Sequence, residues 1–129
     1  MRAVFLAVLL TIAACATAKV TSETSVHPSF PSLRPAMVAV TAEGGSPAFA
    51  EALHRGLLAK DYSALAPGAP PGRDAGSLRA RLLSAEGPWS ADVVFEDPFG
   101  TVLYRSRIDG YRGTLPDLAA ALLLDLPPK

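Results

Sequence analysis

The 129-residue sequence contains a single cysteine, Cys15. No intrachain disulfide can form, so packing and hydrogen bonds must hold the fold together. Histidine is almost as scarce, with His27 and His54 as the whole supply. Two histidines without further thiols or ligand-spaced carboxylates do not make a zinc site, and no metal site is expected. No apolar run approaches the roughly 20 residues that cross a bilayer as a helix. An excess of charge is also missing, since 12 basic residues meet 12 acidic ones. That balance leaves no broad field to attract nucleic acid. The chain lacks a Gly-x-Ser-x-Gly nucleophile elbow and any long glycine fingerprint for phosphates. No cofactor, no catalytic residue and no enzymatic activity are therefore expected.

What is present starts at the N-terminus. Arg2 precedes an apolar stretch over residues 3–14 that closes as Ile12-Ala13-Ala14-Cys15. A basic start, an apolar segment of roughly 7–15 residues and small residues before a cut are the parts of a secretory signal. With Cys15 directly behind two alanines, the segment resembles a bacterial lipoprotein signal peptide, although Ile12 stands where that pattern most often has Leu. The resemblance implies cleavage before Cys15, diacylglycerol attachment at its sulfur, and fatty acylation (palmitate or similar) of the new amine. An ionised thiol is a strong nucleophile, and two or three acyl chains hold stably because each buried CH₂ contributes about 0.8 kcal/mol. Ala16, rather than Asp, resembles the default pattern for outer-membrane delivery. The expected location is the outer membrane with the domain in the periplasm, or the cell membrane where the source has only one. Loss of Arg2 with residues 1–14 leaves one acidic group in excess.

Residues 15–35 read as a lipidated, flexible tether. Residues 16–26 are small and polar without a period, and Pro28, Pro31 and Pro35 disfavour regular structure. Residues 36–129 read as a single domain. An apolar run over 36–42 suits a buried strand. Ser46 and Pro47 then start a helix, with Phe49, Leu53 and Leu57 as its stripe, ending near Lys60. Residues 62–65 suit a short strand and 67–76 a Pro/Gly loop. Three strands follow over 78–85, 90–96 and 101–109. With four-residue turns, Ala85 faces Ser90 and Glu96 faces Thr101. One face then carries Ala80, Leu82, Ala91, Val93, Phe95, Val102, Tyr104 and Ile108. The other carries Arg79, Arg81, Leu83, Asp92, Val94, Leu103, Arg105 and Arg107, with Arg79 opposite Glu96 and Asp92 opposite Arg105. Thr114 caps a last helix whose stripe is Leu115, Leu118, Leu122 and Leu126. The expected fold is an α+β two-layer sandwich: one mainly antiparallel sheet of four or five strands with two helices on one face.

This order of strand, helix, short strand, three-strand meander and helix resembles small periplasmic lipoprotein domains. These are the penicillin-binding-protein activators, the curli-secretion lipoproteins and the N-terminal domain of the Tol-associated protein. The residues that carry the resemblance are Met37-Val38-Ala39-Val40 leading into the helix over 47–59, and the turn and strand Asp97-Pro-Phe-Gly-Thr-Val-Leu-Tyr-Arg-Ser. It implies an envelope lipoprotein with the fold above.

Individual residues add little chemistry. His54 lies off the helix stripe and reads as solvated, and His27 falls in the tether. Gly44-Gly45-Ser46 reads as a tight strand–helix connection, because no lysine follows it as in a phosphate loop. Asp92 and Glu96 face arginines and read as ion pairs rather than a catalytic couple. Trp89 and Phe99, one on each turn, either fold back on the core or stand out as contact anchors. The strip Leu83, Val94 and Leu103, ringed by Arg81, Arg105 and Arg107, is the first candidate for a partner surface. The expected function is a noncatalytic accessory or assembly lipoprotein with an envelope protein partner. The alternative is a small-ligand or lipid-binding module with its ligand near Tyr104 and Phe49.

Overall fold

The computed structural model describes residues 20–44, 46–84 and 86–129. The signal segment, Cys15 and the first residues of the expected tether lie outside them, as do Gly45 and Ala85. In chain order the elements are β1 (Thr21–Val26), α1 (Phe30–Leu33), β2 (Met37–Glu43), α2 (Pro47–Ala59), β3 (Ser63–Ala64), β4 (Ala75–Leu82), β5 (Trp89–Glu96), β6 (Val102–Tyr111) and α3 (Leu115–Leu122). The strands form one sheet in the order β1-β6-β5-β4-β2-β3. The α+β class is as expected. The sheet is larger, with six strands, and it is mixed: β2 runs parallel to both β3 and β4, while the remaining pairs are antiparallel. A strand that hands over to a helix returns alongside itself in the same direction, and α2 makes that crossover.

The sixth strand comes from the expected tether, and this is the main correction. Thr21–Val26 pairs antiparallel with β6, with Glu23 opposite Arg107 and Ser25 opposite Arg105. Threonine and valine favour extended backbone, and β6 offers the segment an otherwise open ladder. The prolines are absorbed rather than disruptive. Pro31 sits in the first turn of α1, where its missing N–H costs nothing. The ring of Pro35 packs so closely on Gly76 that a Cβ there would lie 2.6 Å from it. Phe30 is fully buried and meets Phe95 edge-on, with ring centroids 5.9 Å apart. The folded unit therefore takes in residues 21–35 as well as 36–129.

The helices behave as their patterns require. Phe49, Leu53 and Leu57 of α2 and Leu118 and Leu122 of α3 are buried against Leu78, Val93, Phe95 and Tyr104 of the sheet. Thr114 Oγ1 accepts the N–H of Asp117 at 3.2 Å, while Ser46 starts α2 without a side-chain cap and relies on Pro47. The meander keeps its expected faces except at the start of β6, where Val102 is exposed and Leu103 buried instead of the reverse, but it slides. Leu82 pairs with Ala91, Glu96 faces Ser77 rather than Arg79, and Asp92 faces Arg107 rather than Arg105. Both offsets are two residues, so period-2 parity survives. The turns are the cause: Trp89 already belongs to β5, and the β5–β6 pairing is irregular between Phe95 and Glu96.

Candidate functional site

The outer face of the sheet, away from α2 and α3, concentrates the charge. Strand alternation puts Arg79 and Arg81 of β4, Asp92, Val94 and Glu96 of β5, Arg105 and Arg107 of β6, and Glu23 and Ser25 of β1 on this side. Arg81 grips Asp92 as a fork: Nε–H donates to Oδ1 at 3.2 Å and Nη2–H to Oδ2 at 2.9 Å. That hydrogen bond and the Asp92 charge raise the Arg81 pKa above its ordinary value. Arg107 makes a similar fork to Asp109, at 3.1 and 3.3 Å. The bond holds the Asp109 carboxyl below the usual range. Arg79 pairs diagonally with Glu96. Arg105 and Glu23 take part in none of the ion pairs found among the described residues.

These side chains wall a groove of about 460 Å³ lined by Glu23, Ser25, Arg81, Val94, Arg105 and Arg107, with Asp92 and Thr24 completing it. A second depression of about 310 Å³ lies on the other side of the Arg81–Asp92 pair, towards Thr41 and Glu43. Four of the six expected surface residues therefore come together: Arg81, Val94, Arg105 and Arg107. The other two do not. Leu83 is exposed at the end of β4 but lies outside the groove. Leu103 is fully buried in the core cluster with Phe30. The irregularity at Phe95/Glu96 breaks alternation at the start of β6, so Leu103 and Tyr104 are buried in succession. β1's contribution, Glu23 and Ser25, was missed because a polar strand leaves no hydrophobic period to read.

The remaining candidates have structural duties. His54 Nε2 lies 3.3 Å from Ala64 O and links α2 to β3, and His27 Nδ1 accepts the N–H of Ser29. Trp89 is half-buried and donates from Nε1 to Gly113 O at 3.1 Å. Phe99 behaves otherwise. Asp97 Oδ1 accepts from the N–H of Phe99 and of Thr101, at 3.0 and 2.8 Å, with Gly100 at φ +88°. The clamped turn holds Phe99 93% exposed at its tip. The space near Tyr104 and Phe49 is filled, since both are buried and Tyr104 Oη donates to Leu122 O at 2.6 Å. Among the described residues, no group of three or more His, Cys, Asp or Glu is placed to hold a metal ion, and no helix is long and apolar enough to cross a membrane.

No family model and no curated protein matches the chain. A solved structure does. The chain is similar in fold to a point variant of PelC from Paraburkholderia phytofirmans, solved as a dodecamer, at 16% identity and a TM-score of 0.55. The match covers 81% of this chain and 95% of that one. At that identity the likeness concerns the fold.

Proposed function

We propose that the chain is a membrane-anchored envelope lipoprotein that works without catalysis, by docking a protein partner on the outer face of its sheet. One observation carries the reading: the groove beside Val94, where three arginines converge and Arg105 has no carboxylate partner among the described residues. Arginine is enriched in protein contact regions relative to the rest of the surface. The Ile12-Ala13-Ala14-Cys15 pattern supports lipidation at Cys15 and so membrane anchoring, and Ala16 supports outer-membrane placement where the source has two membranes. The resemblance to small periplasmic lipoprotein domains points the same way. The small-ligand alternative has less support, because its expected position is filled by core side chains.

Two variants test the reading. Cys15→Ser should abolish incorporation of labelled palmitate and release the chain from membranes; continued membrane retention would refute the anchor. Val94→Glu should stop co-purification of the cross-linked partner from native membranes and leave the melting temperature nearly unchanged. Undiminished capture would dismiss this face.

The dodecameric state of the PelC variant favours a second reading, in which the partner is another copy of the same chain. Gel filtration of the purified full chain across a concentration series reads it directly.

A further inference from the structure

An open strand edge is a template for another strand, and folded proteins usually guard it with lysine, proline, a bulge or brevity. The two edges of this sheet differ. β3 has two residues and is protected by its shortness. β1 has six, Thr-Ser-Glu-Thr-Ser-Val, all exposed, with one charge and no proline. The ladder shows which of its backbone groups have no partner among the described residues. His27 N–H donates to Leu103 O at 2.8 Å, in register with the β1–β6 pairs. Antiparallel pairs alternate between bonded and non-bonded, so Glu23 and Ser25 turn their amides towards β6. Ser22, Thr24 and Val26 present theirs to the open side.

We infer that this edge pairs antiparallel with the same edge of a second copy, Thr24 meeting Thr24 of the partner subunit on a twofold axis perpendicular to the sheet. The inference rests on the self-association reading and names its surface. A perpendicular axis keeps outer face beside outer face, so even residues must oppose even ones and odd oppose odd. Centring the axis on Glu23 would set two carboxylates directly opposite each other, which is unfavourable. Centring it on Thr24 uses every free amide and carbonyl of Ser22, Thr24 and Val26. It also places Glu23 opposite Ser25 of the partner subunit, whose neighbour on β6 is Arg105. Arg105 and Glu23 of opposite copies are then two strand spacings apart, about 10 Å between backbones. Across a small serine, that is within reach of the two long side chains. The two charged residues of the groove that lack an ion-pair partner in the monomer would each gain one, twice by symmetry. The result is a closed isologous dimer with a continuous sheet.

Sedimentation equilibrium of the full-length chain in density-matched detergent tests this. The wild-type chain should be dimeric. Thr24→Pro removes an outward N–H that β6 does not use, and with it only the long Thr24 Oγ1–Ser106 Oγ contact of 3.5 Å, so it should yield a monomer whose circular dichroism shows the fold intact. Glu23→Arg and Arg105→Glu should each weaken self-association about tenfold. An equimolar mixture of those two variants should recover the wild-type affinity, and this arm stands even if Thr24→Pro fails to fold. A wild-type chain that stays monomeric overturns both the inference and the self-association reading. Self-association that survives these changes, or is not recovered by mixing, overturns the β1 surface alone.

Discussion

Gly76 shows how narrow the tolerance is at single residues. It lies on β4, and a Cβ there would fall 2.6 Å from both the Glu96 carbonyl oxygen and the Pro35 ring. The carbonyl belongs to a paired strand and cannot move away cheaply. Gly76→Ala should therefore cost about 2 kcal/mol, read as a lowered urea midpoint at unchanged slope. Gly56 meets a softer neighbour, the Leu123 Cδ1 methyl at 2.7 Å. Charge was legible at this scale. Alternation alone put Arg81, Asp92, Val94, Arg105 and Arg107 on one face, and they are there. Leu103 was not legible, because an irregular ladder is decided by the turn that precedes it.

At the scale of elements, α1 distinguishes a folded segment from a tether. Phe30 is 1% exposed and packs on Phe95, which also meets Tyr62 at 5.6 Å between ring centroids. Phe30→Ala should lower stability by about 3–4 kcal/mol, measured by chemical denaturation, whereas a tether residue would change nothing. The helices were legible because a 3.6-residue stripe is local information: Phe49, Leu53 and Leu57 must share a face in any helix. β1 and α1 were not, because a polar strand is stabilised by the backbone groups of β6 and a four-residue helix by a single buried ring. Neither leaves a period in the sequence.

Across the whole molecule, the C-terminal tail is clasped by groups far away in the chain. Tyr62 Oη donates to Pro127 O at 2.6 Å, Lys60 Nζ to Leu126 O at 2.6 Å, and Arg34 Nη1 to Pro128 O at 2.7 Å. Burial pushes the Tyr62 phenol up to about 12, with Arg34 opposing, and raises Tyr104 for the same reason. A group whose pKa is raised by folding contributes stability that is intact below its unfolded value, near 10, and is lost as pH climbs through the folded one. The unfolding midpoint should therefore hold steady to about pH 9 and fall between about 10 and 12. Phenolate absorbance should show Tyr62 ionising at about pH 12, and Tyr62→Phe should flatten part of that fall. A midpoint independent of pH over this window would refute the buried-phenol account.

The sequence by itself determined which side chains of α2, α3, β4 and β5 face inward, where α2 and α3 begin, and the lipidation pattern ending at Cys15. Each is written in local periodicity or in adjacent residues. Only the tertiary structure decided that residues 21–26 complete the sheet, that β2 runs parallel to its neighbours, that the meander slides by two residues, and that Leu103 is buried. The reason is physical: strand partnership and register come from backbone groups and turns brought together across the chain, and side-chain pattern constrains them only to the nearest even step.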